Sequence, residues 1–448
     1  MTYTTLVIFG ISGDLATRKL LPALAYLETL GALPDGFAVV GTSRRELNAN
    51  TLLDGALTGI EPRVRDRLAR RLQLIRLDSS DPREQSRLRK LLDARDESSA
   101  APATRLFYLS IPPAAAEPVI RAMAAAGSGD ESQAPVRLLM EKPFGYDLAS
   151  ATELDRLIHT AFREDQIYRI DHYLSKETAQ NINVFRFHNP IMTRLWNGEE
   201  IERIELSASE ALGIENRSDF YEQTGALRDI LQSHLLNLAA LVLMEEPAND
   251  SPECLQQARL VLLEAIKPIA PNRVQRLTKR GQYNGYRAET GNRDSVIETY
   301  AELKLEVDND RWRGVPLVIC TGKSLAEKRT EIRIIFRGNT RNRNERNELI
   351  FRLQPNEGIE ITVETKTPGL TQTVTPITLN YTYPKLATDT GVPDGYARVL
   401  ADAIGGDRGN FVSGREVLAS WRIVEHVLHE WAKGDDGLVM YDKGVARP

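Results

Sequence analysis

Residues Leu6 to Ala16, LVIFGISGDLA, join a short apolar run to a turn that contains two glycines. An apolar run of this length that ends in glycine predicts a buried strand. The leucines at positions 15, 20, 24 and 27 then recur at helical spacing. The stretch therefore predicts a strand, a tight turn and a helix in succession.

Three more apolar runs follow, with helical stretches between them: Phe37–Gly41, Leu106–Ile111 and Val136–Met140. Strands that alternate with helices predict a mostly parallel sheet with helices on both faces. The predicted fold class of residues 1–172 is therefore α/β, a doubly wound parallel sheet.

The pattern changes after residue 172. A strand-like run at 201–209 precedes a long helix around 225–244, and a C-terminal helix carries apolar residues from Leu418 to Trp431. Between these helices lie six strand candidates, at 296–307, 315–321, 330–337, 348–354, 359–366 and 373–379. Short strands joined by short turns favour an antiparallel sheet. Residues 173–448 therefore form a predicted second domain, of β+α class, that packs tightly against the first across a cleft.

Composition narrows the classes of function. The 448 residues include 57 Lys and Arg against 62 Asp and Glu, and a net charge of −5 provides no general field for nucleic acid or anionic lipid. The arginines between 337 and 346 lack interleaved aromatics and are typical of a solvated loop. Two cysteines, Cys254 and Cys320, allow neither a disulfide framework nor a zinc site.

Membrane insertion and secretion are not indicated either. The N-terminus lacks a charged segment before its apolar run, and the longest uncharged apolar run, Leu235–Met244, falls far short of the roughly 20 residues that span a bilayer. We therefore expect a soluble cytoplasmic protein without nucleic-acid or membrane partners.

The first turn and the end of the second strand are candidates for dinucleotide binding. Glycines let backbone amides approach a pyrophosphate, but Gly13 matches only the second glycine of G-x-G-x-x-G, so a generic turn is equally compatible. Arg44 and Arg45 stand where NAD enzymes usually carry an acidic residue. Two guanidinium groups suit a 2′-phosphate, although the start of a surface helix would show the same residues.

Two further segments carry candidate phosphate and oxyanion ligands. Lys142 follows the fourth strand and could hold a developing alkoxide, and Pro143 is a candidate for a cis peptide bond. If residues 172–176 are helical, His172 and Lys176 share one face, with Tyr173 beside them, and could grip a phosphate dianion. An exposed ion pair and an exposed helix start are the respective alternatives.

His234 lies on an otherwise apolar helical face. Such a histidine is either a satisfied core residue or a general base that a carboxylate from elsewhere orients. Asp229 is five positions away, about 140° around an ideal helix, so it should serve another purpose.

Six blocks together resemble the glucose-6-phosphate dehydrogenase family, in its order and approximate spacing. They are GxSGDLA at 10–16, EKPFG at 141–145, RIDHYLxKE at 169–177, GALRDxxQxHLL at 225–236, GVPLxxxTGK at 314–323 and RNELxxRxQPNE at 346–357. The resemblance implies a Rossmann-like N-terminal domain and a larger C-terminal β+α domain with a large antiparallel sheet.

The resemblance also assigns roles. It implies that His234 takes the proton of the C1 hydroxyl, that Asp171 pairs with His234, and that Lys142 lies near the C1 oxygen and the nicotinamide. The implied substrate ligands, besides Lys142, are His172, Tyr173, Lys176, Glu210, Asp229, Lys323, Lys328 and Gln354. The implied cofactor ligands, again besides Lys142, are Gly10, Ser12, Gly13, Asp14, Leu15, Arg44 and Arg45.

The implied activity is the NADP-dependent, metal-free oxidation of glucose 6-phosphate to the 6-phosphogluconolactone, the entry step of the pentose phosphate pathway, by a homodimer or homotetramer. Alternatives are the same chemistry on another sugar phosphate, or a silent homologue that binds sugar phosphate or NADP and regulates a partner. The sequence departs from the family at Ser175, where glycine is usual, and at Tyr146, where arginine is common. Glu360 and Thr362 replace the aromatic and the lysine of a second, structural NADP site in some animal members, which argues against that site here.

Overall fold

The computed structural model describes residues 3–98, 103–215, 217–338, 346–383 and 395–448. These residues form two sheets. The strands, in chain order, are β1 Tyr3–Phe9, β2 Gly36–Ser43, β3 Leu72–Arg76, β4 Ala103–Leu109, β5 Val136–Met140, β6 Ile167–Ile170, β7 Ile201–Ser209, β8 Thr278–Tyr283, β9 Tyr300–Glu306, β10 Pro316–Gly322, β11 Arg329–Phe336, β12 Glu348–Gln354, β13 Gly358–Lys366, β14 Val374–Thr382, β15 Phe411–Val412 and β16 Leu438–Tyr441.

Helices cover both faces of the first sheet and one face of the second. The α-helices are α1 Leu21–Thr29, α2 Ala49–Ala56, α3 Pro62–Arg71, α4 Pro82–Glu97, α5 Pro113–Ala125, α6 Leu148–Ile158, α7 Glu177–Phe187, α8 Pro190–Leu195, α9 Ser218–Ala226, α10 Leu236–Leu243, α11 Pro252–Ala265, α12 Val274–Leu277, α13 Tyr286–Thr290, α14 Tyr396–Gly405 and α15 Gly414–Trp431. Residues Ala16–Leu20 and Leu227–Leu235 are π-helical, and residues Glu164–Gln166 and Pro271–Arg273 form 3₁₀-helices.

The first sheet has the order β15-β6-β5-β4-β1-β2-β3, and only β15 runs antiparallel to its neighbour. Alternate residues of β1 enter different cores: Leu6 and Ile8 pack on one face of the sheet, Val7 and Phe9 on the other. The predicted doubly wound α/β domain is confirmed.

Three strands of this sheet were absent from the sequence prediction: β3, β6 and the two-residue β15. The edge strand β3 is only partly buried and has no apolar run to reveal it. In β6 the run is interrupted by Arg169, which is buried at 2% exposure because it bonds to Asp155 and Glu164. A charged residue can be buried in a strand when it is paired, and it then interrupts the apolar run by which the strand would be predicted.

The second sheet has the order β14-β13-β12-β11-β7-β10-β9-β8-β16. Most neighbours are antiparallel, as predicted, but β7 pairs with β10 and β8 with β16 in parallel. Strands were predicted at the positions of β9 to β14, whereas β8 and β16 were not. Inward residues such as Leu206 and Ile332 pack under the helices, and charged residues such as Arg203 and Glu205 alternate with them on the open face.

One helical stretch, Ser218–Leu243, runs under the second sheet. It is long and apolar enough to cross a membrane, but 83% of its apolar window is buried inside the protein, so it is a core helix. The stretch is kinked at Gly225, whose φ is +63°. A Cβ there would lie 2.4 Å from Glu298 Oε1, and the same carboxylate accepts a hydrogen bond from Leu227 N at 2.9 Å. The kink therefore sets where the π-helical segment 227–235 begins.

The two parts of the chain interlock. The predicted domain boundary at residue 172 lies in the turn 171–176, between β6 and α7. From the later part, β15 returns to pair with β6, and α14 packs on α1. The cleft between the sheets is therefore bordered by segments that are distant in sequence.

Candidate active site

His234 and Asp171 meet at the cleft between the two sheets. His234 belongs to the π-helical segment 227–235, and Asp171 directly follows β6. His234 Nδ1 lies 2.6 Å from Asp171 Oδ1, although the residues are 63 positions apart. Their side chains are only 1% and 3% exposed. The fold thus supplies the carboxylate that the helix itself could not offer to His234.

Asp171 is held by three donors. Besides His234, the backbone N–H of Tyr173 donates to Oδ1 at 2.9 Å and Asn237 Nδ2 donates to Oδ2 at 2.7 Å. Burial alone would raise the pKa of Asp171, but His234 and these hydrogen bonds outweigh it and hold the pKa below its usual range. The carboxylate is therefore ionised at neutral pH.

The ionised carboxylate decides the state of the imidazole. Burial lowers the pKa of His234, and the charge of Asp171 opposes that shift only in part. His234 is therefore neutral near pH 7, and the hydrogen-bond network assigns its proton to Nδ1, which donates to Asp171. Nε2 is left with a lone pair, and this buried atom has no hydrogen-bond partner among the described residues.

Lys142 lies in the same cavity as His234. It follows β5, and its Nζ donates to the backbone oxygen of Asp229 at 2.5 Å and to Oδ1 at 3.0 Å. Burial would raise the pKa of Asp229, but the charges of Lys142 and Lys323 outweigh it and lower the pKa to about 2. The cavity, of about 50 Å³, is lined by His234, Lys142 and Asp229 and by aromatic rings such as Trp421. It therefore combines a base, a cation and a carboxylate.

The segment that contains His172 and Lys176 is not helical. Residues 171–176 form turns, and α7 begins only at Glu177, so the prediction that these side chains share a helical face is wrong. The physical reason is that Asp171 bonds to Tyr173 N and holds a turn, as short acceptor side chains often do. The turn places the rings of His172 and Tyr173 against His234.

Aromatic rings from this turn pack around His234. The Tyr173 ring stacks on His234 with centroids 4.3 Å apart, and the His172 ring meets His234 edge-on at 4.7 Å. The other side of His172 faces Tyr396, in α14, at 6.1 Å. Burial is the main cause that lowers the pKa of His172, to about 3. His172 is therefore a neutral hydrogen-bonding group near pH 7.

Lys176 is a buried cation at the start of α7. Its side chain is 7% exposed, and its Nζ lies 3.6 Å from Glu357 Oε1. The other oxygen of Glu357 accepts from Thr178 N and from its Oγ1, both at 3.0 Å. Glu357 therefore caps α7 from the loop after β12 and lies beside Lys176.

The remaining predicted substrate ligands lie on and near the second sheet. Lys323, 3% exposed, forms a close ion pair with Glu210. Gln354 Nε2 donates to Thr330 Oγ1 at 2.9 Å, which aligns the ends of β11 and β12. Lys328 lies in the exposed loop before β11.

The first turn forms one wall of a second cleft, of about 460 Å³. Gly10 has a φ of +78°, and a Cβ there would lie 2.5 Å from the carbonyl oxygen of Ser110, so only glycine fits. The buried Ser110 Oγ lines this cleft and has no hydrogen-bond partner among the described residues. A narrow glycine turn with an unsatisfied hydroxyl opposite fits a dinucleotide phosphate.

The predicted cofactor ligands are not all in this cleft. Those that line it are Gly10, Ser12, Gly13, Arg44 and Arg45. Asp14 and Leu15 lie on the helix beyond it: Asp14 pairs with Arg18 at 3.3 Å, and Leu15 packs on the core.

Arg44 and Arg45 are exposed at the end of β2. Facing them across the cleft is Asp78, from the loop after β3. Asp78 Oδ1 accepts from Ser80 N at 3.0 Å and from its Oγ at 2.7 Å; chiefly these bonds, and also the charge of Arg44, lower the pKa of Asp78. The cleft therefore carries two cations and one anion.

Comparison with known families assigns both halves of the chain. The family model described as the NAD binding domain of glucose-6-phosphate dehydrogenase matches residues 7–181, and that of its C-terminal domain matches residues 183–448. The chain belongs to the glucose-6-phosphate dehydrogenase family. The family and the class of enzyme, an oxidoreductase with a nicotinamide dinucleotide domain, are thereby confirmed as the sequence predicted.

Individual members of the glucose-6-phosphate dehydrogenase family match over nearly the whole chain. The glucose-6-phosphate 1-dehydrogenase of Chlamydia muridarum is 36% identical over 477 residues, covering 99% of this chain and 93% of that protein. That of Bacillus subtilis is 36% identical over 465 residues, covering 99% and 94%. A solved glucose-6-phosphate dehydrogenase in complex with its substrate glucose-6-phosphate superposes with a TM-score of 0.92 at 31% identity, covering 100% of this chain and 96% of that chain.

Sequence reasoning missed three side chains of these sites. Asn237 is one helical turn after His234 and could have been found by that spacing. Glu357 ends the RNELxxRxQPNE block, and the family resemblance implied no role for it. Asp78 follows a strand that the pattern did not reveal, so nothing in the sequence assigned it to the cofactor cleft.

Proposed function

We propose that this chain oxidises D-glucose 6-phosphate at C1 to 6-phospho-D-glucono-1,5-lactone with NADP as the hydride acceptor. The observation that carries the proposal is the Nε2 of His234, which has no hydrogen-bond partner in the described part of the chain, while the other ring nitrogen donates to Asp171 at 2.6 Å. A buried neutral imidazole that a carboxylate orients is suited to act as a general base.

His234 and Asp171 handle the proton. Nε2 takes the proton of the C1 hydroxyl, and the electron pair of that O–H bond forms the C1 carbonyl as hydride leaves C1. The ionised Asp171 stabilises the imidazolium that results, because its Oδ1 already accepts from Nδ1. NADP, when bound, supplies the hydride acceptor. Lys142, which lines the same cavity, stabilises negative charge that develops on the C1 oxygen.

Side chains on and near the second sheet and in the turn 171–176 hold the sugar phosphate. Lys176, His172 and Tyr173 bind the phosphate, together with Lys323 and Lys328. Glu210, Asp229 and Gln354 bind sugar hydroxyls. Lys142, Lys176 and Lys323 each face a carboxylate of the chain. Substrate binding therefore replaces existing ion pairs of these lysines, so the protein does not have to keep unpaired charges buried.

Coenzyme choice rests on the cleft at the end of β2. Arg44 and Arg45 line it, and paired guanidinium groups suit a 2′-phosphate. We propose that Arg44 contacts this phosphate and that Arg45 stacks on the adenine. Gly10, Ser12 and Gly13 contact the pyrophosphate.

We further propose that the chain assembles as a homodimer or a homotetramer in the cytoplasm. The hairpin of β13 and β14 exposes an apolar face, with Leu379 at 56% and Tyr381 at 54% exposure, and such faces mark association surfaces. Unpaired thiols at Cys254 and Cys320 suit a reducing compartment. Light scattering on the full chain tests the assembly, since a monomer at micromolar concentration contradicts it.

One assay tests the activity. Reduced nicotinamide is followed by its absorbance, with NADP and with NAD, on glucose 6-phosphate and on a panel of other sugar phosphates. We expect the highest kcat/KM with glucose 6-phosphate and NADP. A higher value with another sugar phosphate would reassign the substrate, and no turnover on any of them would make the chain a binding homologue.

A further inference from the structure

The C-terminal residues fold back onto the loop that carries Lys323. The edge strand β16 ends at Tyr441, and the residues after it run beside residues 323–326. Gly444 N donates to Ser324 O at 2.8 Å, and Ala326 N donates to Val445 O at 3.0 Å. A segment more than 110 residues away in sequence therefore borders a candidate substrate ligand.

Tyr441 is the centre of this contact. Its hydroxyl donates to the backbone oxygen of Lys323 at 2.7 Å and lies 2.8 Å from Thr299 Oγ1. A tyrosine hydroxyl has one proton, so Thr299 must donate to it. Thr299 Oγ1 in turn accepts from Tyr283 N at 2.9 Å. The bonds thus form one directed chain, from Tyr283 N through Thr299 and Tyr441 to Lys323.

The chain of hydrogen bonds leaves the Lys323 backbone little freedom. Lys323 N donates to Thr299 O at 2.9 Å, so Thr299 and Tyr441 fix both polar groups of this residue. The next residue, Ser324, has a φ of +53°, which is costly for a non-glycine residue and needs such support. With its backbone fixed, the Lys323 side chain passes the Tyr221 ring at 5.3 Å and reaches Glu210.

We propose that Tyr441 is a positioning residue for Lys323, acting through its hydroxyl on the Lys323 carbonyl. The proposal rests on the proposed function, in which Lys323 is a substrate ligand. Because the Tyr441 hydroxyl is engaged by the Lys323 carbonyl and Thr299, it acts on the affinity for glucose 6-phosphate through the orientation of the Lys323 ammonium.

The test compares two tyrosines of one aromatic cluster in the full-length chain. Tyr441→Phe removes the hydroxyl on Lys323, whereas Tyr300→Phe removes an equally buried hydroxyl that donates to Glu302 at 2.7 Å. Their rings are 6.4 Å apart. We expect Tyr441→Phe to raise KM for glucose 6-phosphate about fivefold with little change in kcat, as the loss of one net hydrogen bond suggests. Tyr300→Phe should leave KM within about twofold of the parent. Equal KM values in the two variants would overturn the proposal.

A double-mutant cycle separates positioning from general stability. In a Lys323→Ala background the side chain that Tyr441 orients is gone, so adding Tyr441→Phe should change KM by less than about twofold. If Tyr441→Phe raises KM about fivefold in both backgrounds, it acts elsewhere and the proposal fails.

Thr299 provides a second route if Tyr441→Phe does not fold. Thr299→Val removes the donor that directs the proton of the Tyr441 hydroxyl towards Lys323, and Thr299→Ser keeps it, so KM should be higher for the valine variant than for the serine variant. Equal KM values would overturn the proposal. A parent with no turnover on glucose 6-phosphate would refute the proposed function, whereas an active parent with unaffected variants refutes only the role of Tyr441.

Discussion

The proposed substrate site around His234 and the proposed cofactor cleft at Gly10 and Arg44 are built in opposite ways. In the proposed substrate site most of the charged side chains are buried or half-buried and already paired within the chain, as Lys142 is with Asp229 at 3.0 Å. In the cofactor cleft the backbone turn is fixed by Gly10, but Arg44 and Arg45 are exposed. Preorganised groups stabilise a transition state, whereas exposed groups must be ordered when the ligand binds. Substitutions should therefore affect mainly catalysis and substrate binding in the first region and coenzyme affinity in the second.

The largest difference should appear at His234. His234→Asn keeps much of the side-chain shape but removes the base, so we expect kcat to fall by about 10²- to 10⁴-fold with a modest change in substrate binding. Steady-state kinetics with saturating coenzyme measure it. Near-normal turnover in this variant would refute the role of His234 and, with it, the contrast between the two regions.

Lys176→Ala should act on substrate binding instead of the chemical step. It removes a buried charge-assisted contact worth about 1.5 to 3 kcal/mol, so KM for glucose 6-phosphate should rise about 10- to 150-fold. The same variant assayed on unphosphorylated glucose is the control, since that substrate lacks the group that Lys176 holds. Equal losses on both substrates would show that Lys176 stabilises only the start of α7.

Arg44→Ala sharpens the contrast from the cofactor side. Because Arg44 is exposed and its contact is screened by solvent, we expect the lower end of the range, about a tenfold loss of kcat/KM with NADP. The value with NAD should stay unchanged, and kcat at saturating NADP should too. Arg45→Ala is the matched variant and should lose efficiency with both coenzymes if Arg45 stacks on the adenine. An Arg44 variant with unaltered selectivity would mean that Asp78 or the backbone sets coenzyme choice.

The two regions also differ in how far the sequence predicts them. The glycine turn and the arginines after β2 are local features, and the structure brings them to one cleft as expected. The antiparallel sheet follows from periodicity, because burial alternates along strands such as β7. The core helix follows from its long apolar run, which is buried on all sides in α10.

A hydrogen bond between residues that are far apart in the sequence cannot be predicted from the local sequence pattern. The pairing of Asp171 with His234 entered only through family resemblance, because a separation of 63 residues leaves no pattern in the chain. The helical reading of 172–176 failed since a side-chain hydrogen bond to Tyr173 N favours a turn. Strand β6 was missed because the buried charge of Arg169 is neutralised by residues outside it.

The smallest predicted effect tests how finely the substrate site is tuned. Asn237 donates to Asp171 Oδ2 at 2.7 Å and so withdraws negative charge from the carboxylate that faces His234. In Asn237→Ala that carboxylate stabilises the imidazolium more strongly, so the pKa of His234 should rise. The base must be unprotonated, so the pKa of His234 sets the acid limb of the kcat/KM profile. Burial lowers this pKa from 6.5, so the limb should lie below pH 6.5 in the parent. In Asn237→Ala the limb should move up by about half a pH unit or less. We expect kcat to fall only about fivefold, as one orienting hydrogen bond is lost.

Arg44→Ala is the control and should leave the acid limb of the pH profile in place. A fall in kcat without a shift of the limb would show that Asn237 contributes packing alone, whereas a shift to lower pH would mean that Asp171 loses its hold on His234 when Asn237 is removed.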